Sequence, residues 1–208
     1  MIRLFPLTLM ALMLMAAGPK ADPTRSLYLQ LIEQARADGR PRAAIAYLDD
    51  YDRRYPGEIQ ARILRVNSLL DLHDVDGAER AAAVLPESPE SSVARGHVLC
   101  ARGDWGQAAA LYRQAMVARP ADALLRNALG YALLRSGQNA PAIEALRDAV
   151  DLAPADRAIR NNLLLALTVG GQRAEVDARL RQIRDGSEQD ALRRMIATEA
   201  ARIARKES

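Results

Sequence analysis

Three groups of residues have types and spacings that could do chemistry. The stretch "DLHDVDGAE" puts Asp74, Asp76 and Gly77 at the third, fifth and sixth positions of a calcium loop. The first position is then Leu72 and the twelfth Ala83, so the carboxylates such a loop requires are missing. His97 and Cys100 stand at i and i+3, the spacing of a base beside a nucleophile. No third orienting group accompanies them, and no Gly-rich strand–turn–helix element presents the thiol. Nothing at helical spacing completes a metal site with His73 or His97, and Cys100 alone cannot do so. The third group is an echo. "LRNALGYALLRSGQ" (125–138) is followed 34 residues later by "IRNNLLLALTVGGQ" (159–172), and Arg-Asn recurs at the same offset. Each asparagine offers a donor and an acceptor together, so Asn127 and Asn161 are candidates for holding the backbone of a bound peptide.

The elements that would position these residues follow from the same period. Gly96/Gly130, Gly103/Gly137, Ala108/Ala142, Ala115/Ala149 and Pro120/Pro154 are all 34 apart. This pattern resembles the tetratricopeptide (TPR) repeat family: a small residue, a turn Gly, Ala, a large apolar residue, Ala, then a closing Pro. Upstream, Gly39, Ala44, Leu48 and Pro56 keep the register, with Tyr51 in the second Ala slot. The step from Ala78 to Ala108 is only 30, which predicts a shortened second helix ending near Pro86. Downstream, Gly171, Val176 and Leu180 continue the period. The fold class expected is all-α, a TPR solenoid of about five repeats at 25–58, 59–88, 89–122, 123–156 and 157–186. A capping helix over 187–206 follows, with Leu192, Met195, Ile196 and Ile203 at helical spacing. On this plan Asp76 caps the second helix of its repeat. Trp105 packs between units.

Composition agrees with helices and excludes several functions. Half of the 208 residues are apolar, yet only 4% are aromatic, which suits Ala- and Leu-rich helices rather than sheets. The 27 Arg and two Lys are interspersed with 26 acidic residues, for a net charge of +3, the pattern of a solvated helical surface rather than a nucleic-acid site. A single cysteine, Cys100, rules out a disulfide within the chain. No catalytic role, metal or cofactor is expected. Residues 1–21 differ: Arg3 precedes an almost unbroken apolar run from Leu4 to Ala17, short of the ~20 residues that cross a bilayer comfortably. This reads as an export signal to the periplasm. Gly18-Pro19 and the neighbouring alanines make poor cleavage sites, so retention as an N-terminal anchor stays open. No cysteine ends the segment, so lipidation there is excluded chemically.

In a TPR solenoid the first helices of the repeats line a concave groove through positions 2, 5, 9, 12 and 13. The repeat counted from Ala123 offers Leu124, Asn127, Tyr131, Leu134 and Arg135. That from Arg157 offers Ala158, Asn161, Leu165, Thr168 and Val169, and that from Pro89 offers Glu90, Val93, His97, Cys100 and Ala101. The candidate partner-binding residues are therefore His97, Asn127, Tyr131, Leu134, Arg135, Asn161 and Leu165. The asparagines have two readings, partner contact or a bridge between neighbouring helices. Arg126 and Arg160 are placed at the groove edge.

The apolar leader, about five repeats and "RNNLLLAL" after a Pro-closed repeat also resemble the TadD family, the TPR proteins of tight-adherence (Flp) pilus assembly. The resemblance covers most of 25–186. It implies a non-enzymatic, pilotin-like partner of an outer-membrane secretin, reaching the membrane through that partner or an uncleaved N-terminus. Members of that family are typically lipoproteins, and this chain lacks the lipobox cysteine. Two alternatives use the same groove: an accessory subunit in cytochrome c maturation or polysaccharide export, and a general periplasmic peptide-binding chaperone.

Overall fold

The computed structural model describes residues 22–205. The apolar leader (1–21) and Lys206, the last residue of the expected cap, lie outside them. The described residues form α1 (Pro23–Ala37), α2 (Pro41–Arg54), α3 (Ile59–Asp71), α4 (Val75–Ala83), α5 (Pro89–Arg102), α6 (Trp105–Ala118), α7 (Ala123–Arg135), α8 (Asn139–Leu152), α9 (Arg157–Val169), α10 (Arg173–Leu180) and α11 (Gly186–Ala204). Successive helices from α1 to α10 pack as hairpins, α3 also touches α1 and α5, α7 touches α9, and α11 packs on α9. This is a solenoid of helix pairs.

The 34-residue period recurs in the capping chemistry. Ser88, Asp122 and Asp156 precede α5, α7 and α9, and each side chain accepts the backbone N–H three residues on, at 3.1, 2.9 and 3.0 Å. Every turn within a pair closes the same way. Gly39, His73, Gly103, Gly137 and Gly171 all have positive φ, and the next residue donates its N–H to the carbonyl five back. His73 is the one non-glycine in the set, at φ 60°. It occupies the turn-glycine position of the second repeat.

Between repeats the arginines of the echo have a structural role. Arg126 donates to the Pro120 carbonyl at 2.6 Å and Arg160 to the Pro154 carbonyl at 3.0 Å, tying each first helix to the proline that ends the preceding one. Arg126 also pairs with Asp148 of α8 at 2.7 Å.

Ala44, Ala78, Ala108 and Ala142, on the second helices of four pairs, are fully buried. Opposite them, a Cβ on Gly130 would lie 2.5 Å from Leu146 Cγ, so only glycine lets α7 and α8 cross this closely. The buried residues fall into three clusters: α1–α3, then α3–α5, then a large one running from α6 to Ile203 of α11. The breaks flank the short α4.

One expectation changes in detail. Asp74, not Asp76, caps α4, accepting the Gly77 N–H at 2.8 Å. Asp76 sits in the first turn and pairs with Arg102. The helix begins one residue after Asp74, so the Asp74 carboxylate reaches the first-turn N–H groups while Asp76, already helical, points outward.

Candidate concave binding groove

An open groove of about 490 Å³ runs over α1, α3 and α5. Its floor is apolar: Ile59, Ile63 and Leu64 from α3, Val93 and Ala94 from α5. Gln60 and Asn67 add amides, while Glu33, Glu90, His97 and Arg119 add ionisable groups around it. Gln60, Ile63 and Asn67 are positions 2, 5 and 9 of the second repeat. The groove rule that selected residues in three later repeats would have found them had it been applied there.

His97 is the only one of the expected site residues in this groove. One ring nitrogen, Nδ1, lies 3.1 Å from Asn67 Oδ1, and its ring packs 5.9 Å from that of Tyr112. Burial holds His97 below its ordinary range, and the Arg36 charge adds to this while Asp71 opposes it. The neutral ring therefore donates Nδ1–H to Asn67. Cys100 meets the Tyr112 hydroxyl at 3.4 Å, and burial pushes its thiol up. Burial likewise raises the Tyr112 phenol. A thiol held protonated, with no base on it, is not an activated nucleophile. Among the described residues no group of three His, Cys, Asp or Glu could hold a metal ion.

Three of the remaining expected residues, Tyr131, Asn161 and Leu165, gather at the other end of the solenoid, where α11 lies across the concave face. Glu188 pairs with Arg157 at the start of α9. Ile196 and Ala197 share a cavity with Thr168 near its end, so α11 and α9 run in the same direction. Tyr131, Asn161, Asn162 and Leu165 line a hollow of about 350 Å³ whose other wall is Met195, Ile196 and Glu199 of α11.

Leu165 and Leu134 are buried, at 5% and 0% exposure, in the cluster that also holds Ile196 and Ile203. Leu134 has no surface to offer a partner, and Leu165 reaches solvent only at the wall of this hollow. Asn127 accepts from Asn162 Nδ2 at 2.9 Å, a bridge between α7 and α9. The Asn161 side chain makes no hydrogen bond among the described residues and lines the hollow. Arg135 is also engaged: its guanidinium lies 4.3 Å over the Trp105 ring and donates to the Tyr131 hydroxyl at 3.1 Å. Trp105 and Tyr131 meet edge to face, so this trio fastens α6 to α7.

With this geometry in hand, comparison with known proteins fixes the repeat type. Residues 93–169, from the floor of the open groove to the end of α9, match the tetratricopeptide repeat model. These residues are tetratricopeptide repeats. Solved structures extend the likeness along the chain. A thermophilic TPR protein of Thermus thermophilus, TTC0263, matches at 20% identity with a TM-score of 0.70, over 84% of this chain and 97% of that one. PilW, a type IV pilus biogenesis factor, matches at 19% identity and a TM-score of 0.70, over 89% and 91%. Pseudomonas aeruginosa pilF matches at 14% identity and 0.65, over 88% and 87%. At these identities the likeness is one of fold: an all-α TPR solenoid. No curated protein sequence matches the chain. TPR solenoids are in general protein-interaction scaffolds, and both hollows lie on the face such scaffolds use.

Proposed function

We propose that this protein is an exported, non-enzymatic interaction scaffold of pilus assembly, a TadD-like factor that binds an outer-membrane secretin in the manner of a pilotin. The observation that carries the scaffold reading is the apolar groove that lies open to solvent across α1, α3 and α5, as a surface for a peptide segment does. Two further features support the pilus assignment. Residues 1–21 have the composition of an export signal. The fold is like that of PilW and of P. aeruginosa pilF, proteins of pilus systems. Without a lipobox cysteine, contact with the membrane runs through the partner or through a retained N-terminus.

The test is recovery of secretin by the tagged protein from envelope fractions, with Ile63→Arg as the groove-blocked control. Secretin retained by the wild type and lost with Ile63→Arg supports the reading. If no secretin is recovered, and secretin multimers form normally in cells lacking the gene, the pilotin role is wrong. Haem-lyase or polysaccharide-export components recovered through the same groove would replace it.

A further inference from the structure

The two halves of the concave face differ in what they leave unsatisfied. Over α9, the face is occupied by α11, an amphipathic helix that buries Ile196 and Ile203 and leaves Arg194 exposed. Its edges are held by ion pairs of both polarities: Arg193 with Asp177 at 3.1 Å, and Glu188 with Arg157. The chain thus displays what its own concave surface accepts, an apolar stripe flanked by charges that meet opposite charges on the solenoid.

Over α1, α3 and α5 the same kind of floor is bare. Ile59, on that floor, is 43% exposed. The charges around this floor are one-sided. Arg119 is paired with Asp122, so it is already neutralised. Arg36, on the α1 side, is likewise paired with Asp71, at 2.7 Å. Glu33 on α1 and Glu90 on α5 are both exposed, stand on either side of α3, and have no ion-pair partner among the described residues. Two unpaired carboxylates flanking an apolar floor complement a cation on an apolar segment and repel an acidic one.

We propose that the groove formed by α1, α3 and α5 binds an amphipathic helical segment of a partner protein, with an aliphatic stripe on Ile59, Ile63 and Val93 and arginine or lysine side chains at Glu33 and Glu90, seated as α11 is seated on α9. The proposal rests on the interaction-scaffold reading and is independent of the pilus assignment. The aliphatic stripe supplies burial, and the carboxylates supply the sign of charge that is admitted. The amides of Gln60 and Asn67 meet polar groups at the edge of the stripe.

Two capped, fluorescein-labelled synthetic helices test this by anisotropy on the purified protein. They share leucines at i, i+4 and i+7 and differ only in carrying arginine or glutamate beside the stripe. The arginine peptide should bind at least about tenfold tighter than its glutamate twin, and rising salt should erase that difference. Glu33→Gln with Glu90→Gln should remove most of the preference while the melting temperature stays unchanged. Ile63→Ser should weaken both peptides together.

Equal binding of the two peptides overturns the proposal, as does a preference that survives the double Gln variant. So does binding lost only with Tyr131→Ala, which would put the peptide beside α11. Peptide discrimination without secretin recovery keeps this groove chemistry and discards the pilus partner. Secretin recovery without peptide discrimination does the reverse.

Discussion

His97 is a titratable group committed to its neutral form by its surroundings. In the unfolded chain it titrates near its ordinary 6.5, and in the fold burial lowers that value. Between the two values the unfolded chain binds more protons, so stability rises with pH. His97 therefore costs nothing above about pH 6.5 and destabilises progressively as pH falls from there towards its folded value, below which the cost stays constant. The difference in melting temperature between wild type and His97→Gln should be constant above about pH 7 and change below about 6.5, with the wild type losing more as pH falls. A constant difference across that range would contradict the assignment. Asn127 and Asn162 form a pair whose worth is measurable separately from partner binding. A double-mutant cycle of Asn127→Ala and Asn162→Ala should give a coupling of about 0.5–1.5 kcal/mol in unfolding free energy, the usual net value of one hydrogen bond. Zero coupling would mean the contact contributes nothing to stability.

At the scale of the helices, two glycines at helical φ separate close packing from intrinsic propensity. Gly130 faces Leu146 Cγ at the α7–α8 crossing, and the contact is with a branch point rather than a movable tip. Gly130→Ala should destabilise by about 1–3 kcal/mol, because α7 must move off α8. Gly106, in the first turn of α6, has open space around it: a Cβ added there would meet nothing within 4 Å. Gly106→Ala should be neutral or stabilise by up to about 1 kcal/mol, through the better helix propensity of alanine. Urea melts of the two variants check both, and a loss with Gly106→Ala would show a constraint on α6 beyond propensity. The turn at His73 follows the same logic, a non-glycine held at positive φ by the shared hydrogen-bond pattern of all five turns.

Across the whole molecule, stability is the sum of neighbouring interfaces, and the three buried clusters make that sum uneven. Helix α11 closes the largest cluster. Truncation after Arg184 removes Ile196 and Ile203 from it and should cost about 3–6 kcal/mol, at about 1.5–3 for each buried aliphatic side chain. Hydrogen exchange should quicken first in α9 and α10, while α1–α3 keep their protection. Loss of protection along the entire chain would show instead that the solenoid unfolds as one unit. The same helix bears on the concave face, since it covers the end that holds Tyr131, Asn161 and Leu165 and leaves the α1–α3–α5 end open.

The helices, their pairing and their repeat were legible in the residue order, because these depend on local spacing. A 34-residue recurrence of Gly, Ala and Pro fixes where helices turn, approach and stop, and those requirements involve residues close along the chain. It also placed Arg126 and Arg160 away from the groove interior, and their proline carbonyls are six residues back. The position rule names which side chains point to the concave side of a helix, as it did for His97; Ile63 and Asn67 stand at the same positions of the second repeat, where it was not used. Which of those side chains reach solvent depends on how distant helices pack. Leu165 sits at a groove position and is buried because α11, which follows later in the chain, lies over it. Asn127 is tied to Asn162 rather than left free beside Asn161, a choice set by how α7 lies on α9. Periodicity encodes the direction a residue faces; what stands across from it depends on the packing of distant segments.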